Sequence, residues 1–318
     1  MGAALVSWDH RSMELTEADP ILMPPPLRPG DKVRFVSPAS PPPREWAWHC
    51  AKVLESWGLE VDFGEHVFRK VAWLAGTDEE RLADFNAALR DPSVRALFTA
   101  AGGKGSCRIA DRLDFAAARS DPKFLVGISD IAALQFSLRK HCRLVSVHGS
   151  FVPDGQDGET LRKAMMTSEG ICLHSRADEP TSALTTEGTA RGRLIGGSLL
   201  PMSAAAGWAL PSLKGAILLL EAVNLGPGVM DSQLTMLRKA GHLTGLAGIA
   251  VGQFNDCFHP VNGFTVVDLL RGHLQHFKIP ILGGVPVGHG YQSQSTLVGT
   301  MAFLDAGAGT LTISGTQE

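Results

Sequence analysis

Phe124-Leu125-Val126-Gly127-Ile128-Ser129-Asp130 is the stretch that decides the fold. Three apolar residues form a buried strand, a glycine ends it, and a serine follows just where a helix running to about Lys140 begins. A strand that feeds a helix this tightly belongs to a parallel sheet covered on both faces. The surrounding sequence repeats the pattern. Strand patterns at residues 31–37, 59–63, 94–99 and 144–147 alternate with helical patterns at 45–57, 77–90 and 111–119. Thr77 and Glu80 form a capping box at the start of one helix. After residue 193 a second unit begins. Strand candidates there are 216–220, 249–251, 281–287, 296–303 and 310–313, with helices at 232–240 and 266–277. The expected organisation is a flexible N-terminal extension (1–28), an α/β domain bearing Ser129 (29–152), a polar connector (153–192) and a C-terminal domain (193–318).

Composition narrows the function classes. The 318 residues are 44% hydrophobic and 19% charged, with a net charge of −3, enough apolar mass for a sizeable core and no basic surplus. Neither nucleic acid nor an anionic membrane is therefore an expected partner. Five cysteines, Cys50, Cys107, Cys142, Cys172 and Cys257, are widely spaced without a C-x-x-C. Reduced thiols and a cytoplasmic setting are expected. The N-terminus shows neither the basic region nor the long apolar run of a signal peptide. Asp256 and His259 are the nearest approach to a metal pair and lack a third ligand at convincing spacing, so neither metal nor cofactor is expected.

Several residues could carry chemistry. A serine at a helix N-terminus on the carboxyl edge of a sheet has the setting of a nucleophile elbow, although Ile131 replaces the second glycine of G-x-S-x-G. The same position also suits a plain helix N-cap. The loop Gly102-Gly103-Lys104-Gly105-Ser106 can aim backbone N–H groups at an anion or can be a simple turn; it matches no nucleotide-binding glycine pattern. Glu221 follows five apolar residues and suits either the orienting carboxylate of a triad or a solvated strand end. His289, between Gly288 and Gly290, suits a general base or a turn, with His148, His242, His259, His273 and His276 as competitors.

Taken together, the blocks GDKVRFVSPAS (30–40), AGTDEERLADFNAAL (75–89), AAGGKGSCRIADRLD (100–114), PKFLVGISDIAAL (122–134), VHGS (147–150), GRLIGGSL (192–199), GAILLLEAVN (215–224), QLTMLRKAG (233–241), LAGIAVGQF (246–254), GVPVGHG (284–290) and TLVGTMAFLD (296–305) make the chain resemble the LD-carboxypeptidase family of serine peptidases. That family includes murein tetrapeptide carboxypeptidases and MccF-type microcin C resistance peptidases. The resemblance implies a flavodoxin-like parallel-sheet domain followed by a β-rich, swivelling β/α domain. It also implies a Ser129–Glu221–His289 triad, an oxyanion hole from the Asp130, Gly102 and Gly103 amides, a small peptide or muropeptide substrate, and a homodimer. Amide hydrolysis at an L-centre bearing a terminal D-amino acid is the implied reaction. Hydrolysis of a peptidyl or aminoacyl nucleotide antibiotic is one alternative, and an idle muropeptide-binding relative is another. The chain departs from the family's usual pattern at Ala101 and Lys104 (usually Arg and Tyr), Ile128 and Ala132 (usually Tyr or Phe, and Thr), Ser198 (usually Asn) and Ser232 (usually Arg). Lys104, Ser198 and Trp208 are the candidate substrate contacts; Lys104 also reads as a solvent-facing lysine.

Overall fold

The structure is a computed structural model and describes residues 19–149, 156–258, 260 and 262–316. The first half alternates as expected: β1 (Lys32–Val36), α1 (Arg44–Ser56), β2 (Glu60–Phe63), α2 (Asp78–Arg90), β3 (Val94–Thr99), α3 (Phe115–Ser120), β4 (Phe124–Gly127), α4 (Ala132–Cys142) and β5 (Ser146–His148). The parallel pairs run β2-β1-β3-β4-β5, the flavodoxin-like order. In such a sheet the carboxyl ends of the strands open onto a crevice, and β3 and β4 end there at Thr99 and Gly127. The Thr77–Glu80 capping box is present in both directions.

The second half comprises α5 (Gln156–Met166), β6 (Ile171–His174), β7 (Thr189–Ser198), α6 (Leu199–Ala205), β8 (Ile217–Val223), α7 (Pro227–Lys239), β9 (Gly248–Asn255), α8 (Val266–Leu274), β10 (Ile281–Leu282), β11 (Thr296–Val298), β12 (Met301–Asp305) and β13 (Thr310–Ile313). Its seven-stranded sheet is mixed: β7, β8, β9 and β10 are parallel, while β12, β13 and β6 add antiparallel to the other edge of β7. The molecule is thus an α/β protein of two sheets, with helices packed alongside. One apolar cluster, including Val33, Phe98, Val147, Leu194 and Leu219, runs through both sheets.

Four expectations are corrected. Residues 153–192 are not a bare connector: they hold α5, β6 and the start of β7, so the second sheet begins before residue 193. β6 escaped notice because it is a four-residue edge strand burying only Ile171 and Leu173. Residues 296–303 are two strands, split at Gly299 (φ +96°). β11 pairs antiparallel with β5 and completes the first sheet, whereas β12 joins the second. Residues 281–287 form a strand only at Ile281–Leu282, because Gly283 and Gly284 (φ +70°) interrupt it. Finally, the end of the supposed loose extension is anchored to the fold: Ile21 and Leu27 are buried, and Leu22 bridges to Leu144. Residues 1–18 lie outside the described residues.

Candidate active site

The backbone that presents Ser129 is tightly specified. A Cβ on Gly127 would sit 2.3 Å from Thr99 Oγ1 and 2.7 Å from Ile131 Cγ2, so only glycine ends β4 without displacing its neighbours. Ile128 is extended, and Ser129 then adopts φ +65°. A non-glycine residue in the left-handed region is costly and persists only where its surroundings enforce it, as at nucleophile elbows. The plain N-cap alternative is not realised. The N-cap of α4 is Ile131, without a side-chain cap, and the Ser129 hydroxyl bonds no described residue.

The glycine loop backs onto this serine. A Cβ on Gly102 would lie 2.9 Å from Ser129 Cβ. Ser40 holds the loop, donating its N–H to the Gly102 carbonyl (3.1 Å) and accepting from Lys104 N–H at its hydroxyl (3.3 Å). The fully buried guanidinium of Arg81 donates to the carbonyls of Pro38 and Gly105, tying both loops together. The Asp130 carboxylate turns away into the loop and accepts the Ser106 N–H at 2.7 Å, while the Ser106 hydroxyl donates to the Asp130 carbonyl. Burial pushes the Asp130 carboxyl above its ordinary range. The backbone N–H groups of Gly102, Gly103 and Asp130 bond no described residue, as an oxyanion hole requires.

Glu221 lies inside β8, not at its end, and is completely buried. The ladder to β9 shifts register at this residue, between Leu220 and Ala222, a bulge of the kind that re-aims a side chain beside a site. His289 Nδ1 stands 2.8 Å from Glu221 Oε2. The Ser198 hydroxyl, opposite Glu221 in the β7–β8 register, donates to Oε1. His148 Nε2 lies 3.5 Å from the same oxygen. Burial opposes ionisation of Glu221, but hydrogen bonding and charge from His148 and His289 outweigh it and hold the carboxyl down to about 2. The group is therefore an anion throughout the neutral range and does not take the proton of its histidine.

The His289 loop is stapled from beneath by Gln253, a fully buried residue of β9. Gln253 Oε1 accepts the Gly290 N–H (2.9 Å), and its Nε2 donates to Glu179 (2.7 Å) and the Tyr291 carbonyl (3.2 Å). Both flanking glycines are needed for this fit. A Cβ would meet Gln253 at 2.9 Å from Gly288 and at 2.7 Å from Gly290. The imidazole, one-fifth exposed, keeps Nε2 without a partner among the described residues.

Ser129, Lys104, Ser198 and Asn224 line one cavity of about 340 Å³. Ser198 joins its wall to the Glu221–His289 pair. Ser129 and His289 share no hydrogen bond here; such contacts are commonly loose in resting enzymes and tighten around substrate. Of the expected substrate contacts, Lys104 is exposed at this cavity. Ser198 is a support of Glu221 rather than a free contact. Trp208 is not in the cavity: its indole N–H donates to Ala204 at the end of α6, and its ring packs against the apolar clusters flanking α4 and α6. Ser232 is exposed on α7, its hydroxyl on the Gly228 carbonyl. His273 pairs with Asp231 (2.9 Å), and His259 lies outside the described residues. Among the described residues no cluster of three or more His, Cys, Asp or Glu is placed to hold a metal. None of the described helices is long and apolar enough to cross a membrane. Ser198, Gln253 and Arg81 were missed as structural supports of the site. For Gln253 the signal was available, as a lone polar residue in the apolar run 248–254.

Comparison with known proteins gives the family and the fold. Residues 33–149 match the model of the LD-carboxypeptidase N-terminal domain, and residues 191–304 that of the C-terminal domain. A carboxypeptidase-named protein of Synechocystis sp. is 34% identical over 302 residues, covering 91% of this chain and 96% of the relative. The murein tetrapeptide carboxypeptidase of Pseudomonas aeruginosa is 26% identical over 287 residues, covering 86% and 93%. Among solved structures, the muramoyltetrapeptide carboxypeptidase from Oxalobacter formigenes superposes with a TM-score of 0.78 at 24% identity, covering 89% of this chain and 98% of that one. The microcin C7 self immunity protein MccF superposes with a TM-score of 0.83 at 19% identity, covering 93% and 99%.

Proposed function

The chain belongs to the LD-carboxypeptidase family of peptidases, and from that premise we propose that it is a serine-type carboxypeptidase that removes a terminal D-amino acid from a murein-derived peptide by cleaving the amide bond to an L-centre. The observation that carries the reading is Ser129, held at φ +65° on a cavity whose wall is hydrogen-bonded to the buried carboxylate of the Glu221–His289 pair.

Each group has a role that its contacts support. Glu221 accepts the Nδ1–H of His289 and so leaves Nε2 unprotonated, the form that accepts a proton. With substrate bound, His289 takes the Ser129 proton as the hydroxyl oxygen bonds to the scissile carbonyl carbon. Negative charge passes to the carbonyl oxygen, which receives the Asp130 and Gly102/Gly103 N–H groups. The C–N bond then breaks, the leaving amine takes the proton from His289, and an ester on Ser129 remains. Water, deprotonated by His289, releases the acyl group and regenerates the serine. The leaving residue carries a free α-carboxylate, for which exposed Lys104 at the cavity supplies the cation. A cytoplasmic setting and a homodimer belong to the same proposal; light scattering on the purified chain checks the dimer.

A nucleotide-antibiotic substrate is favoured less, because Trp208, the aromatic expected to stack on a nucleobase, lies elsewhere and the residues lining the cavity include no aromatic ring. The test is direct. The protein is incubated with a murein tetrapeptide and, separately, with an aminoacyl sulfamoyl adenylate. Release of D-alanine from the first, lost by about 10⁴-fold or more in Ser129→Ala, supports the proposal. Cleavage of the second alone, or full turnover by Ser129→Ala, overturns it.

A further inference from the structure

Glu221 has two histidines on it, one on each oxygen. His289 is absorbed by the proposed mechanism; His148 is not. It sits at the carboxyl end of β5, in the first sheet, whereas Glu221 and His289 come from the second half of the chain. Its ring is completely buried, with Nε2 3.5 Å from Glu221 Oε1.

The protonation of this ring can be read from its neighbours. Gln135 Nε2 donates to two main-chain carbonyls, Gly127 at 3.0 Å and Val147 at 2.9 Å. A flipped amide would set its oxygen against both, so the orientation is fixed. Gln135 Oε1 therefore faces His148 Nδ1, at 3.2 Å, and can only accept. Nδ1 must carry a proton. In a neutral ring Nε2 would then hold a lone pair 3.5 Å from a buried carboxylate oxygen and without a hydrogen-bond partner among the described residues, an approach of two acceptors that burial makes costly. A second proton on Nε2 removes the conflict and balances the Glu221 charge.

We propose that His148 is a positioning residue held as an imidazolium, which pins Glu221 from the side opposite His289 and offsets its negative charge. The Gly196-Gly197-Ser198 segment is built around this arrangement. A Cβ on Gly197 would fall 2.6 Å from the His148 ring, and the next residue, Ser198, donates to the same carboxylate oxygen. Ionisable groups near the ring come from several elements. Glu221 faces it from β8, and His289 lies across that carboxylate. Cys257 is near enough for Glu221 to help raise its thiol. Arg139, one turn along α4 from Gln135, has its guanidinium on the Arg143 carbonyl. Thr296 of β11 and Gly197 of β7 contribute no charge. The consequence for the reaction is a moderated base. A carboxylate shared with a cation still orients His289, while part of its negative charge is offset.

This inference rests on reading Glu221 as the carboxylate of a serine hydrolase, and its decisive test does not depend on turnover. Nitrogen-15 NMR of the full chain, with His148 assigned by the signal lost in His148→Gln, reports the protons on each ring nitrogen. Protons on both Nδ1 and Nε2 from about pH 6 through about pH 8, beyond the ordinary histidine midpoint, support the proposal; a singly protonated ring overturns it whether or not the enzyme is active. As a second readout, His148→Gln keeps an N–H donor but loses the cation. The acid limb of its kcat/KM profile should rise by about one pH unit with KM little changed. An unmoved limb in a folded variant overturns the charge-offset role, and where the variant fails to fold, replacing the other histidines one at a time assigns His148 by elimination and the wild-type spectrum decides. Undiminished activity of Ser129→Ala would sink the hydrolase reading and leave the spectroscopic result standing.

Discussion

Replacing Gly102 by alanine adds one methyl group at the point where the glycine loop meets the serine. The new carbon would sit 2.9 Å from Ser129 Cβ and 3.3 Å from both Ser129 Oγ and the Ile128 carbonyl. Carbon atoms prefer about 3.5–4.0 Å, so one partner must retreat by roughly 0.6–1 Å. Gly102 itself is not in the left-handed region, so the substitution adds no backbone strain of its own. Neither neighbour yields easily: Ser129 is fixed at φ +65°, and the loop is anchored by Ser40 and Arg81. A displacement of that size between the proposed nucleophile and the proposed oxyanion donors costs about 10²-fold in turnover, while overpacking costs about 1–3 kcal/mol of stability. The assay is steady-state release of the terminal D-amino acid with thermal unfolding measured in parallel. A fall in kcat beyond what any lost folded fraction explains is expected, with KM little changed. Gly272→Ala in α8 is the control, since a Cβ there meets nothing within 4 Å; it should gain about 0.5–1 kcal/mol and leave kcat alone. Wild-type kcat in a folded Gly102→Ala variant would refute the placement of the oxyanion hole.

Three further outcomes are expected. Glu221→Gln, which cannot hold His289 in the Nδ1–H form, should lower kcat by about 10⁴-fold, measured on the same substrate; a loss of tenfold or less would remove Glu221 from the proposed triad. Ser198→Ala deletes a hydrogen bond to a completely buried carboxylate and should cost about 1.5–3 kcal/mol in unfolding free energy, read by denaturant titration. His66 is bonded to Asp84 through Nδ1 (2.8 Å), a bond that raises its pKa. A raised folded value gives stability that is complete below the ordinary histidine value and is lost as pH rises through the folded one. His66→Gln should therefore lower Tm near pH 5.5 and hardly change it near pH 9.

Much of the first sheet was legible because each strand is a short apolar run ending in glycine or a polar cluster and followed by a helix with its own cap. Thr77 with Glu80 and the Val126-Gly127-Ile128-Ser129 junction are local signals, and local signals survive in sequence. The splitting of residues 296–303 between two sheets was not legible, because it depends on which partner strands lie on either side of Gly299, a long-range matter. β6 was hidden because an edge strand buries only alternate residues and shows two apolar positions. The site divides in the same way. Ser129, Glu221 and His289 were picked out by their junctions and by resemblance. Ser198 meets Glu221 only through the β7–β8 register and His148 only through the end of the first sheet meeting the second, and Gln253 reaches Gly290 across 37 residues of chain. Trp208 was misjudged because aromatic character says nothing about the direction a side chain faces.

The account stands or falls on whether Ser129 is an activated nucleophile. A fluorophosphonate probe followed by peptide mass mapping measures this directly. The account predicts one covalent adduct, on Ser129, formed by the wild-type chain and abolished in His289→Ala; turnover of substrate by a chain whose Ser129 stays unlabelled, or equal labelling without His289, would contradict it.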